Sequence, residues 1–477
     1  MAQRTGSGRR PIPRFRRPSR KRSQDPIVID ERKSRRAVAA AAIGNTMEWF
    51  DFGVYSYLAV TIGQVFFPSN SPTAQLLSTF ATFAVAFLVR PLGGFFFGPL
   101  GDRIGRQKVL ATTMITMAAG TVAIGLLPGY AQIGIWAPIL LLLARLVQGF
   151  STGGEYGGAT TYVAEFSPDR RRGFMSSWLE FGTLVGYSMG AGSVTVLSVA
   201  LPDGALSSWG WRIPFLVAGP LGLVGLYLRL KLEDTPAYQK SSEGEQPQQA
   251  ATLRSLGTLF TRCWRPMLKC IGLVIAFNVT NYTLTAYMPT YLTAELGFGH
   301  TKALTLVLVA MLLVMTLIVV LGRYSDKIGR LPIAGAGSVA LIVLSVPAYL
   351  LLGLGSVPAV LGGLLVLGLT LICFSSTMPA ALPALFPTDV RYGGVSVSFN
   401  IAVALFGGTT PLLAEALLAG TGVRIMPAVL LIGAGVVGLV TVYFTRESAG
   451  RKLPGSPPTA ASEQEAAERQ QEQRGEA

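Results

Sequence analysis

Two acids and two arginines stand where a largely apolar chain should hold no charge. Glu48 and Asp51 lie in the stretch 37–62, Arg90 in 75–98 and Arg145 in 134–157. Charges in such segments cost ~2.5–3.5 kcal/mol each on membrane-insertion scales, and so mark functional pathways by default. At 1.5 Å per residue, Glu48 falls roughly 16 Å into its helix and Arg90 about 12 Å from the end of its own. A guanidinium takes a carboxylate through two parallel hydrogen bonds. A buried carboxylate can carry a proton, its affinity raised by burial and lowered by a nearby arginine. Together these groups suit the binding of a small carboxylate coupled to proton movement. Salt bridges that merely tie helices together are the competing reading of the same residues.

Helical spacing gathers the groups into stripes. Asn45, Glu48, Phe52 and Tyr55 share one face, with Asp51 at its edge, and Arg145, Gln148, Thr152 and Glu155 share another. Glu180 stands about one turn shallower in its own segment. The second half of the chain offers neutral groups instead, among them Asn278, Asn281, Tyr282 and Asn400, with Glu415 near one end of its span. Aromatic residues, Trp49, Phe52, Tyr55, Phe83, Phe87, Trp178 and Tyr282 included, crowd the same region. Ring faces hold an ammonium at ~0.5–2 kcal/mol each. A zwitterion, its carboxylate on Arg90 or Arg145 and its ammonium over the rings, is the ligand these types fit. Proton coupling is expected from Glu48, Asp51, Arg145 and Glu155. Substrate contacts are expected from Asn45, Tyr55, Arg90, Trp178, Glu180, Asn278, Asn281, Tyr282 and Asn400.

The elements that position them follow from composition. Of 477 residues 50% are hydrophobic and only 14% charged, against about 25% charged in an average soluble domain. Such a chain is neither an ordinary soluble enzyme nor disordered. About 20 apolar residues span a bilayer, and the chain supplies twelve such segments: 37–62, 75–98, 108–127, 134–157, 173–199, 213–230, 266–289, 303–322, 332–353, 358–380, 392–416 and 425–445. Basic residues concentrate on one side of them, 13 in residues 1–36 alone, which puts both termini in the cytoplasm. The basic tail reads as a topology anchor that touches anionic lipid, with no nucleic-acid partner. Three scattered cysteines and a single histidine, His300, leave no metal cluster or disulfide framework. No phosphate-binding loop of the GxxxxGK[ST] type occurs, so neither ATP-driven work nor a cofactor is expected.

A loop repeats. Gly98, Asp102, Arg103, Gly105 and Arg106 follow the second span; Asp326, Gly329 and Arg330 follow the eighth, 224 residues later. Glycines permit the tight turn, and the aspartate can cap a neighbouring helix end, so both loops are expected to latch one conformation. The repeat divides the chain into a basic cytoplasmic tail 1–36, a six-helix half 37–231, a linker loop 232–263, a second half 264–446 and a disordered tail 447–477. Two parallel halves with a site between them describe an all-α membrane protein of the major facilitator architecture. A monomer is expected.

The motifs now carry a resemblance. Gly44-Asn45-Thr46-Met47-Glu48-Trp49-Phe50-Asp51-Phe52-Gly53-Val54-Tyr55 resembles the first-helix signature of the metabolite:proton symporter family. Arg90-Pro91-Leu92-Gly93-Gly94, Arg145 to Gly149 and Gly153-Gly154-Glu155-Tyr156 are similar in kind. Trp209-Gly-Trp211-Arg212-Ile-Pro214-Phe215 and Glu233-Asp-Thr-Pro236-Ala-Tyr238 resemble the osmoregulatory proline/glycine-betaine group within that family. The resemblance covers approximately residues 26–455 and implies proton-coupled import of proline, glycine betaine and related osmolytes through a bacterial cytoplasmic membrane. One departure stands out. Osmosensing members of that group end in a coiled coil, whereas residues 456–477 have alanine alone as apolar side chain, so no a/d seam can form. Symport of an organic acid such as 2-oxoglutarate, citrate or shikimate is the rival reading, since a midplane arginine suits these too. A non-transporting sensor would need a signalling domain that the sequence does not show.

Overall fold

A computed structural model describes residues 26–230 and 260–474, except 105, 203 and 389, and leaves out the side chains of 98–110, 226, 228–230 and 472–474. Most of the expected basic tail and linker, and the side chains of Gly98, Asp102, Arg103, Gly105 and Arg106, therefore lie outside the described residues.

Among the described residues, twelve membrane helices follow one another. They are α1 (Glu31–Tyr57, continued as Ala59–Phe66), α2 (Pro72–Ile104), α3 (Arg106–Leu126), α4 (Trp136–Thr152, continued as Glu155–Glu165), α5 (Arg172–Ala200) and α6 (Arg212–Leu230). The second set is α7 (Trp264–Tyr282, running on to Glu295), α8 (His300–Ile328), α9 (Arg330–Gly353), α10 (Val357–Ser375), α11 (Arg391–Ala402, running on to Thr421) and α12 (Pro427–Tyr443). Eight of these segments are long and apolar enough to cross a bilayer by length and composition, while the first helix falls short because of its charges and others are short. The helix starts are written locally. Proline opens α2 and α12, where its missing amide costs nothing, and the Asp30 carboxylate accepts from the Arg32 amide at 2.8 Å ahead of α1.

The packing repeats as the loops do. Helix α1 packs on α5, α2 on α4 and α3 on α6; correspondingly α7 packs on α11, α8 on α10 and α9 on α12. The halves meet through α5 against α8 and α2 against α11. Gly329 joins α8 to α9 with φ +113°, a backbone region that only glycine adopts without strain. Close by, Asp326 reaches across the halves: its two carboxylate oxygens accept from the Gly173 and Phe174 amides, at 2.7 and 2.9 Å, at the start of α5. A carboxylate there meets the positive end of the helix dipole. Arg330 bonds Asp326 at 3.4 Å and the Ser448 hydroxyl at 3.0 Å. Glu447, beyond the last span, is opposed by burial, yet the amides of Leu331, Ala449 and Ser448 hold its carboxyl below the usual range.

The tail differs from the expected disorder. Strand β1 (Ile27–Val28) pairs in parallel with β2 (Thr459–Ala460), and a helix, α13, follows at Glu463–Arg474. Apolar patterning has no part in this; polar anchors hold the segment. Asp169, fully buried, accepts from the Thr459 amide (3.1 Å), the Thr459 hydroxyl (2.9 Å), Arg469 (2.8 Å) and Arg172. From the other half Arg391 bonds the Pro454 carbonyl at 2.6 Å and Glu165 at 2.8 Å. The tail thus straps both halves on the face that carries the termini. Hydrogen bonds to a charged group are worth about 1.5–3 kcal/mol each. Asp169→Ala should therefore speed tryptic cleavage at Arg451–Lys452 by at least about tenfold, read as the C-terminal fragment by mass spectrometry. Cleavage at the wild-type rate would show that the strap does not depend on Asp169.

Candidate functional site

The site grows from α1. Its residues 48–57 are all buried, because this helix is wrapped by α5, α6 and α7 in place of lipid. Glu48 faces α2 and pairs with Arg90, Oε1 to Nη2 3.2 Å, both side chains at most 3% exposed. The Arg90 guanidinium also lies over rings of Phe87 (4.5 Å), Phe52 (4.7 Å) and Trp49 (5.6 Å). Removing either partner of such a buried pair strands a charge, at a cost of about 3–5 kcal/mol.

Asp51 and Arg145 do not touch. They are joined through a polar chain in which the Arg145 Nη1 donates to Gln148 Oε1 (2.8 Å), Gln148 Nε2 to Thr121 Oγ1 (2.6 Å), and Thr121 Oγ1 to Asp51 Oδ2 (2.8 Å). Arg145 lies over Tyr55 at 4.1 Å, with Phe52 and Phe83 beyond. A cavity within the first half is lined by Glu48, Asp51 and Glu155 together with Met47, Met114 and Met117. Glu155 accepts there from Thr113 Oγ1 at 3.1 Å. The four expected coupling residues thus share one region, Arg145 on its aromatic side together with Arg90, and the three acids on its cavity side.

The second half closes the aromatic box. Tyr282 of α7 packs against Phe87 (5.3 Å), Trp49 (5.9 Å) and Phe83 (6.3 Å), and Tyr187 of α5 stacks on Trp49 at 5.5 Å. Toward the terminal face, Tyr156 stacks on Phe399 across the halves, centroids 3.9 Å apart, and donates its hydroxyl to Glu180 at 2.5 Å. Asn400 Nδ2 donates to the Gly153 carbonyl at 2.5 Å, a further bond between halves. These contacts form a floor beneath the box.

Not every expected contact joins it. Trp178 lies two positions from Glu180 on α5, which points it away; it packs edge-on against Phe181 and Phe174 beside Val38 and Met175. Asn45 is occupied as a bracket, donating to the Leu179 carbonyl (2.9 Å) and Thr183 (2.5 Å) while accepting from the Trp49 indole (3.0 Å). It fixes the box wall and leaves little for a ligand. Tyr55 is committed to Arg145 and to the Thr79 carbonyl. Asn278 donates to its own helix at Val274, and Asn281 is buried one position before Tyr282. Residue type and spacing do not single out Thr121, Tyr156 or Phe399 as site residues, whereas Tyr187 belongs to the aromatic set expected around the stripes. Tyr156, next to Glu155 and in reach of a second buried acid, carried the one usable signal.

Comparison with known proteins fits this geometry. Residues 41–408 match the family described as the Major Facilitator Superfamily. The chain is 47% identical over 450 residues to the "Proline/betaine transporter" of Escherichia coli K12, covering 93% of this chain and 90% of that protein. It is also 47% identical to the "Glycine betaine/proline/ectoine/pipecolic acid transporter" of Dickeya dadantii, covering 94% and 90%. Among solved structures, a proton:xylose symporter bound to 6-bromo-6-deoxy-D-glucose superposes with TM-score 0.69 over 88% of this chain and 98% of its own, at 18% identity. That last likeness concerns the fold. The chain is a multi-pass membrane transporter that belongs to the major facilitator superfamily, and its relatives there include bacterial proline/betaine transporters.

Proposed function

We propose that this transporter imports small zwitterionic solutes such as proline and glycine betaine, driven by an inward proton gradient, with both termini in the cytoplasm. One observation carries the reading: Arg90 is held at once by a single acid, Glu48, and by three ring faces. Glu48 and a substrate carboxylate compete for the same guanidinium. A proton arriving on Glu48 releases Arg90, the carboxylate of the solute takes its place, and the ammonium rests against Trp49, Phe87 and Tyr282. The Arg90–carboxylate pair is then neutral, and the one positive charge the proton has added is left on the ammonium against the ring faces, so each cycle carries a net positive charge inward. With the floor at Tyr156–Phe399 and Asn400–Gly153 open, the solute leaves and the proton departs toward the Asp51 and Glu155 cavity.

The names of the relatives support the substrate class, and the ring faces favour it over organic acids, which have no cation to place there. Proteoliposomes with an inward proton gradient test it. Labelled proline and glycine betaine should accumulate and be released by a protonophore, while 2-oxoglutarate stays at its passive level. Accumulation of 2-oxoglutarate alone would overturn the substrate class and keep the coupling.

A further inference from the structure

A buried acid remains outside this mechanism. Glu415, on the outer half of α11, is 2% exposed. It accepts from the Tyr287 hydroxyl at 3.2 Å, and among the described residues it forms no ion pair. The charged groups that reach this end are Glu295, of the same sign, and Arg424, which is exposed at the rim where its carbonyl accepts from Tyr291. The surroundings are aromatic. Tyr287 packs on Phe80 of α2 (6.1 Å) and on Tyr291 (6.0 Å), and Tyr291 on Tyr349 of α9 (5.3 Å). The hydroxyls of Tyr349 and of Tyr282, one turn deeper than Tyr287, are buried without a hydrogen-bond partner.

These residues form a line. Tyr291, Tyr287 and Tyr282 run down α7 toward the box, with Glu415 beside the middle one and Phe80, Phe83 and Phe87 following along α2. An unpaired carboxylate among ring faces has the chemistry that takes an ammonium or a quaternary ammonium. It repels a dianion by the same charge. We propose that Glu415, with Tyr287 and Phe80, forms an ammonium-selecting station on the outer access route, ahead of the Arg90 box. The station rests on the import reading above for its direction, not for its chemistry.

The test uses the full chain, purified and reconstituted, with Glu415→Gln. Glycine betaine uptake should show KM raised about tenfold with maximal rate within about twofold, and inhibition by tetramethylammonium should weaken by a similar factor. Wild-type KM together with wild-type inhibition would overturn the station. If wild-type protein carries neither proline nor glycine betaine, the import reading fails, and tetramethylammonium binding by thermal shift decides the station separately. Stabilisation of wild type that is lost in Glu415→Gln supports it; no stabilisation of wild type overturns it. Should the Gln variant fail to fold, Glu415→Asp keeps the charge and withdraws it by one methylene. A raised KM in that variant supports the station and an unchanged one overturns it.

Discussion

Glu48→Gln should abolish uphill, pH-driven accumulation while leaving solute exchange in place. Among the described residues the Arg90 guanidinium has one anionic partner, 3.2 Å away, and in the proposed mechanism a proton arriving on that partner frees it. Glutamine is uncharged at every pH, so Arg90 is permanently open to the substrate carboxylate. Binding then persists without a proton, and the gradient has nothing to drive. Accumulation under an inward proton gradient should fall to the passive level, a loss of at least about a hundredfold for a gradient worth about 2.7 kcal/mol. Counterflow of labelled against unlabelled glycine betaine should stay within about threefold of wild type. Stability gives a second readout. Stranding Arg90 costs about 3–5 kcal/mol, so the empty variant should melt earlier, and glycine betaine should stabilise it more than it stabilises wild type. Unchanged uphill uptake in Glu48→Gln would remove Glu48 from coupling.

The two arginines thus divide the work. Arg145 keeps its Nη1 for Gln148 and is linked onward to Asp51 through Thr121, under cover of Tyr55. Such a chain holds the geometry of the first half constant. Arg90, paired by a single bond of moderate length and bordered by the second half through Phe87 and Tyr282, is the member to which the proposed mechanism assigns the solute. Asymmetry between halves follows: the first carries the ionisable chemistry of the box, and the second brings the rings and the closing contacts.

Much of this was readable from residue types and spacing. Charges inside apolar segments point to the site because the bilayer excludes them otherwise, and Glu48, Asp51, Arg90 and Arg145 do converge. The repeat of the Asp102 and Asp326 loops foretold the two halves, which share one packing scheme. What stayed illegible depends on partners far away in the chain. Trp178 has the right type on the wrong face of α5, a matter of two residues of helical phase. Asn45 has the right face but is consumed by Thr183 and Trp49. Tyr156 and Phe399 meet over 243 residues of separation, and no local pattern encodes that contact. The tail escaped because its order comes from a two-residue strand and from Asp169 and Arg391, where apolar periodicity is silent.

A single methyl group at Gly149 should cost the protein its site. Helices α2 and α4 cross with their backbones in contact: a Cβ at Gly149 would stand 1.8 Å from the Ala86 carbonyl oxygen, one at Gly93 1.8 Å from that of Phe150, and one at Gly153 2.1 Å from that of Arg90. These neighbours are main chain, so none can swing aside, and α2 as a whole must move out. Arg90 lies on α2 between Ala86 and Gly93, and Arg145 lies one turn before Gly149 on α4. Displacement therefore separates the guanidinium from Glu48 at the same time as it loosens the floor at Gly153. Helix propensity alone predicts the opposite sign, since alanine exceeds glycine by about 1 kcal/mol in a helix interior. Overpacking of a tight core costs about 1–3 kcal/mol and more where backbone must shift. Gly149→Ala should lower the melting temperature of the purified protein and reduce glycine betaine uptake by at least about tenfold. Gly433→Ala on α12, where an added Cβ meets nothing within 4 Å, should change neither. Equal melting and uptake in Gly149→Ala and wild type would mean that α2 and α4 do not cross in this contact, and that Arg90 is held by something other than their closeness.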